Sequence, residues 1–465
     1  MARASTLAVG RREQWSGRLG FVLAASGSAV GLGSIWKFPY LTGMHGGGIF
    51  IAMYICCVLL VALPILVAEI LLGRHARGAT VATVRQVGGG HRSWLVVGWI
   101  GVLGSGLILS YYSVVGGWTL HYLSLALSGQ AGPQDAAAAG ATYRAMVESP
   151  LTGLVWQAVF LLLTIWVVAG GIQQGLERAN RWLMPVLCLV MLGLLIRSFG
   201  LPGFETAWRF AFVPRVEDLS PRSLLEALGH SFFSLSVGLG AMLTYGSYLS
   251  RKEDVPLSAL AVAIIDTLVS LLACLIVFPI LFTSGLEPDA GPGLIFLTLP
   301  VAFAAMEFSA LWGALFFALL AIAALSSAFS LLEVVVSHLI EEQGWPRQRA
   351  AARAGLVIAV IGLPSAWSGS FALFGPALGV WLASLGLPAF DWFQLVDFVS
   401  SNLLLPIGSL GLAMLAAWRL DPAVRVAEYR AGSSMGDTCR LWLITLRYLA
   451  IPAVVVIMAR ALGSM

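Results

Sequence analysis

Charge is what this chain has least of. Only 11% of its 465 residues are Asp, Glu, Lys or Arg, against roughly 25% in a soluble globular domain. That is too little to coat a water-facing surface, and it excludes a soluble enzyme, a disordered chain and a nucleic-acid binder. The net charge of +4 offers no polyanion partner a footing. Cysteine is scarce too. Cys56, Cys57, Cys188, Cys274 and Cys439 are odd in number, all but the last lie in apolar runs, and none shows a disulfide framework or zinc spacing. No phosphate loop or nucleotide motif occurs, so no organic cofactor is expected and an ion gradient is the available source of energy.

What is present is apolar: 59% of residues are hydrophobic and mean hydropathy is +0.89. Crossing about 30 Å of hydrocarbon takes about 20 mostly apolar helical residues. Eleven segments qualify, near 16–42, 48–72, 94–127, 151–170, 182–200, 224–250, 256–284, 308–340, 350–367, 393–418 and 441–462. The expectation is an all-α, multi-pass protein forming one domain over 1–465 in a lipid bilayer. The stretch 1–18 is polar and basic, without cleavage-site character ahead of the first apolar run, so no signal peptide is expected. Lys and Arg accumulate in cytoplasmic loops. An N-terminus inside puts 20 of the 27 basic residues on the cytoplasmic side, so the N-terminus is expected in the cytoplasm and the C-terminus outside.

Glycine interrupts two of these segments in the same way. The first carries Gly27-Ser28-Ala29-Val30-Gly31-Leu32-Gly33-Ser34, and the sixth Ser234-Leu235-Ser236-Val237-Gly238-Leu239-Gly240. Each glycine costs a helix about 1 kcal/mol against alanine, so two of them beside small hydroxyl residues mark where a spanning helix can unwind. Non-helical backbone at membrane depth survives only when buried in protein or lining a cavity. Matching breaks five spans apart point to a midplane binding site between two repeats, and an odd number of spans per repeat inverts the second. The expected repeats are about 16–200 and 224–420, with an extra helix at 441–462. Close packing through small residues is the alternative reading of either motif alone.

The stretch Arg12-Glu13-Gln14-Trp15, the run from Gly27 to Pro39, and Gly46-Gly47-Gly48 resemble the opening of the neurotransmitter:sodium symporter family, its bacterial amino-acid members in particular. Similarity continues through Tyr111-Tyr112, Phe232 to Ser236, Leu243 to Tyr248, Gly293 to Pro300 and Leu325-Ser326-Ser327. The resemblance implies a five-plus-five inverted-repeat fold with discontinuous helices 1 and 6. It implies import of a neutral amino acid with one or two Na+ ions by alternating access, in a bacterial inner membrane, by a monomer or weak homodimer with no enzymatic step.

By that resemblance the substrate carboxylate would meet the amides of Leu32 and Gly33 and the hydroxyl of Tyr112. Its ammonium would meet carbonyls near Ala29, Phe233 and Ser234, and the Ser236 side chain. Unwound helix ends suit this, because free amides attract anions. Gly31 stands where amine carriers of the family place an aspartate, so a substrate bringing its own carboxylate is expected. The remaining pocket, Ile108, Tyr112, Phe233, Leu239, Ser327 and Leu331, has no formal charge, which predicts a hydrophobic side chain. One methylene changes affinity by only ~1–3 kcal/mol, so several substrates are expected.

One sodium site matches the family pattern: carbonyls of Gly27, Val30 and Ala323 with hydroxyls of Ser326 and Ser327. The other is altered. Its ligands fall on the Ala29 carbonyl, Ser34, Ser234 and Asp266, where relatives usually carry asparagine in place of Ser34 and Asp266. A carboxylate at a span's centre costs ~2.5–3.5 kcal/mol and marks an ion or proton pathway. The family's chloride positions fall on Tyr54, His230, Ser234 and Ser270. Asp266, one turn before Ser270, would supply the negative charge itself, so chloride independence is expected. Three alternatives stay open: proton coupling through a His230–Asp266 pair, an amino-acid sensor that does not transport, and an intramembrane enzyme using the same pair. For gates, the resemblance gives Lys37 with Asp397 outside and Arg12 with Glu341 inside, Tyr248 nearby. Lysine lacks the bidentate fork of arginine, so a soft outer gate is expected.

Overall fold

The computed structural model describes residues 13–129, 136–286 and 294–463. Among them, nine helices are long and apolar enough to cross a membrane: Gly48–Ala76, Arg92–Leu127, Pro150–Ala169, Ile172–Phe199, Val255–Thr283, Ser309–Gln343, Arg347–Ala366, Trp392–Arg419 and Gly436–Ala459. Arg18–Ala29 and Gly33–Met44, inclined by 56°, are long and apolar enough only as a pair. Pro221–Ser234 and Ala241–Ser247 flank a second interruption. Each expected segment coincides with one of these helices or helix pairs.

One start is displaced. The sequence reading opens the fifth segment at 182, whereas the helix begins at Ile172. Gln173, Gln174, Glu177, Arg178 and Arg181 give its first turns the look of a loop. Glu177 is nevertheless buried, and its carboxylate accepts from the Ser16 amide at 2.9 Å. That bond fastens the N-terminal segment to the helix, and the polar turns are kept by it.

Both breaks follow from their backbone. Val30 leaves the helix for an extended conformation at ψ 92°, releasing carbonyls that would otherwise sit in the ladder. In the second break Gly238 and Gly240 take φ of 94° and 72°, a region open to glycine and strained for other residues. Ser236, at φ 52°, adopts the left-handed conformation without that freedom. The Arg18–Ala29 helix packs against Ile172–Phe199, Val255–Thr283 and Ser309–Gln343, and Ala241–Ser247 lies along Gly48–Ala76. Both breaks are therefore in the interior, with Val30, Leu235 and Val237 fully buried. Large apolar side chains such as Trp166, Leu162, Leu189 and Ile196 point outward, the inverse of a water-soluble surface.

On the side of the N-terminal segment, a buried ionic clamp holds the loops. Arg74, 0% exposed, donates to the Glu428 carboxylate at 3.1 Å, to the Glu428 carbonyl and to the Glu253 carbonyl at 2.7 Å. Arg251 reaches the same carboxylate at 2.9 Å. Burial alone would push the Glu428 carboxyl up, but the bond from His75 and the charges of Arg74 and Arg251 outweigh it and hold it below the usual glutamate range. A group lowered on folding adds stability above its unfolded value, about pH 4.3, and loses it as acid reaches the folded value. The melting temperature is expected to fall as pH drops from about 5 to about 3, and Glu428→Gln should flatten that fall while lowering stability at neutral pH.

Candidate functional site

The two breaks meet. The Ser236 hydroxyl donates to the Ser28 carbonyl at 2.8 Å, a bond between the broken segments that leaves the hydroxyl's lone pairs free to accept from a substrate ammonium. Beside this contact lies a cavity of about 40 Å³. Eleven of the twelve expected substrate residues line it: Ala29, Gly31 and Gly33 from the first break, Ile108 and Tyr112, Phe233, Ser234, Ser236 and Leu239 around the second, and Ser327 and Leu331. Leu32 faces outward instead, and its amide donates to the Tyr112 hydroxyl at 3.3 Å. Ser28 and Leu405 also line the cavity and were not anticipated; an apolar residue in an apolar span carries no signature of its own. No lining side chain is charged. At ~10–15 Å³ per water this volume holds only a few waters, so the cavity must widen to admit an amino acid.

Directly beyond Tyr112 and Phe233 opens a vestibule of about 380 Å³ lined by Trp36, Lys37, Tyr40, Phe393 and Asp397, among others. The expected Lys37–Asp397 pair is not made. Lys37 sits over the Phe233 ring at 5.6 Å, and Asp397 accepts from Tyr111 at 2.9 Å and from Ser401 at 3.2 Å. With both partners engaged elsewhere, these two side chains do not bar the vestibule.

The opposite end is closed. Trp15 is buried, donating its indole N–H to the Tyr245 carbonyl at 2.9 Å and packing edge-on against Tyr245 and Tyr248. Arg347 forks onto Glu333 at 2.7 and 3.1 Å, and Tyr248 donates to Glu333 at 2.6 Å. Glu13 lies 3.9 Å from Arg347. This network through Glu13, Glu333 and Arg347 was missed by the sequence reading. Of the expected inner pair, Arg12 lies outside the described residues, and Glu341 accepts from the Ala79 amide at 2.5 Å.

Asp266 is fully buried and holds three hydroxyls: Ser34 at 2.8 Å, Ser234 at 2.5 Å and Tyr54 at 3.1 Å. Ser34 and Ser234 belong to the two broken segments, so one carboxylate ties both to the Val255–Thr283 helix. His230 stacks on Phe38 and lies against Tyr54, and neither of its ring nitrogens has a hydrogen-bond partner. The direct His230–Asp266 pair is therefore absent, and with it the geometric basis for passing a proton straight between them. The Ser270 hydroxyl is buried and unpartnered.

Nearby, the Ser327 hydroxyl lies 3.3, 3.1 and 3.5 Å from the carbonyls of Gly27, Ser28 and Val30. One hydroxyl proton cannot satisfy three carbonyls, which leaves carbonyl oxygens around Ser327 with capacity to spare. Ser326 back-bonds to Ala323 at 3.0 Å and to Ile322 at 3.1 Å. Hard cations prefer such oxygens at about 2.3–2.6 Å, a distance that spaces neighbouring ligands by roughly these separations. The donor set fits a small hard cation.

The family model described as Sodium:neurotransmitter symporter family matches residues 12–137 and 147–375. An uncharacterized sodium-dependent transporter of Bacillus subtilis is 36% identical over 451 residues, covering 97% of this chain and 98% of its own length. One from Haemophilus influenzae is 31% identical over 420 residues, covering 88% and 90%. The crystal structure of MhsT in complex with L-phenylalanine superposes with a TM-score of 0.87 at 38% identity, covering 97% of this chain and all of that one.

Proposed function

The chain belongs to the sodium:neurotransmitter symporter family, and on that premise we propose that it imports a neutral, hydrophobic amino acid together with sodium. The site between the two breaks would open in turn to either side of a bacterial inner membrane. The observation that carries this is the junction of the broken segments through Ser236 and Ser28 beside an uncharged, largely aliphatic and aromatic cavity. Gly31 leaves no acid there to pair a bare amine. The L-phenylalanine bound to MhsT supports the same substrate class.

Sodium would bind at the oxygens of Gly27, Val30, Ala323, Ser326 and Ser327, and Asp266 would serve in place of chloride. One charge crossing 100 mV yields ~2.3 kcal/mol and a tenfold gradient about 1.4. A single sodium would thus sustain roughly 500-fold accumulation of a zwitterion, so accumulation at equilibrium counts the ions moved. The repeats would run over about 16–200 and 224–420, with the N-terminal side cytoplasmic.

The test is uptake into proteoliposomes with sodium, chloride and pH varied separately, after a thermal-shift screen of amino acids has chosen the substrate. A ligand of the folded state raises the melting temperature. Leucine, methionine or phenylalanine should accumulate only with a sodium gradient and equally well when gluconate replaces chloride. Undiminished uptake in choline would overturn the reading, and binding without flux would favour a sensor.

A further inference from the structure

Asn180 lies on the Ile172–Phe199 helix where that helix passes the first break, and it is fully buried. Its side-chain amide donates to the Leu176 carbonyl at 2.9 Å. Only the NH2 end of a carboxamide can donate, so this bond fixes which way the group points. The Oδ1 end is buried and has no hydrogen-bond partner. It faces Gly27: a methyl placed on that residue would collide with Oδ1 and come within 3.1 Å of the Ser326 Cβ. An unpartnered carboxamide oxygen therefore sits against Gly27, a residue of the candidate sodium site, and Ser326, a second one, borders the same spot.

Leaving such a group bare costs stability that leucine, of similar shape, would not cost. Carboxamide oxygens are ordinary ligands of hard cations. The five other oxygens come from the Arg18–Ala29 helix, its break and the Ser309–Gln343 helix. Asn180 would add a third element on the remaining side.

We propose that Asn180 Oδ1 is a further oxygen of the sodium site formed by Gly27, Val30, Ala323, Ser326 and Ser327, and that it helps set cation affinity there. The inference rests on the reading of those five oxygens as a sodium site.

The test uses the full chain in detergent. Sodium chloride replaces choline chloride at constant ionic strength without substrate, and the melting temperature reports sodium binding. Asn180→Leu should raise the half-maximal sodium concentration roughly tenfold. Asn180→Asp, which keeps the oxygen and adds charge, should lower it. Ser327→Ala gauges the site itself. A normal sodium response in Asn180→Leu with a weakened one in Ser327→Ala overturns the role of Asn180 and leaves the site standing. A normal response in both overturns the site as well. If Asn180→Leu does not fold, Asn180→Asp decides: a half-maximal concentration equal to or above that of the unaltered chain refutes the proposal.

Discussion

Asp266→Ala is expected to cut sodium-driven amino-acid uptake by about a hundredfold or more. The carboxylate is fully buried and accepts from Ser34, Ser234 and Tyr54. Two of those hydroxyls, Ser34 and Ser234, belong to the broken segments. Removing the acceptor leaves three buried hydroxyls short of a partner at ~1–3 kcal/mol each, together two or more powers of ten in an equilibrium. Asp266→Asn keeps an acceptor and loses only the charge, so it should fall less far and gain a dependence on chloride. The hydroxyls of Tyr54, Ser34, Ser234 and the unpartnered Ser270 would then surround a place where an anion is needed. Uptake measured in chloride and in gluconate checks both statements. Full activity in Asp266→Ala, or a chloride requirement in the unaltered chain, would show that the carboxylate has no such part.

The second large effect is Gly238→Ala. Gly238 has φ 94°, which costs an alanine ~1–2 kcal/mol. The new methyl would run into the Leu405 carbonyl and the Ser409 hydroxyl, and overpacking of this kind costs ~1–3 kcal/mol more. The Gly238 amide also donates to the buried Glu69 carboxylate at 2.5 Å, a bond the displaced backbone would lengthen. Uptake should drop about a hundredfold, with a lower melting temperature. Gly229→Ala is the control: nothing lies within 4 Å of a methyl there, so it should melt where the unaltered chain does. If Gly238→Ala matches that control, the second break does not need its geometry.

The spans were legible because little charge and long apolar runs leave few other structures. The breaks were legible because two glycines among small hydroxyl residues weaken a spanning helix at one point, and the same weakness recurs five spans later. The residues expected around the cavity converge there, Leu32 apart. Side-chain pairing was less legible. Glu333 meets Arg347 across a helix end and Glu13 from the far N-terminal segment, partnerships that depend on tertiary placement. Lys37 and Asp397 failed to pair for the same reason, since Tyr111 and Ser401 hold the carboxylate and an aromatic ring holds the ammonium. Leu405 and Arg74 gave no sign at all. One is an ordinary aliphatic residue, and the other reads as a loop cation until its burial is known.

Ser327 stands in two neighbourhoods at once, lining the cavity and touching the freed carbonyls of the first break. Under the proposed roles, a single hydroxyl borders both passengers. Whatever factor by which the ion tightens the grip on the solute, the solute must return to the ion. Half-loaded carriers are then the rare species, and a carrier that seldom travels half-loaded wastes little of its gradient.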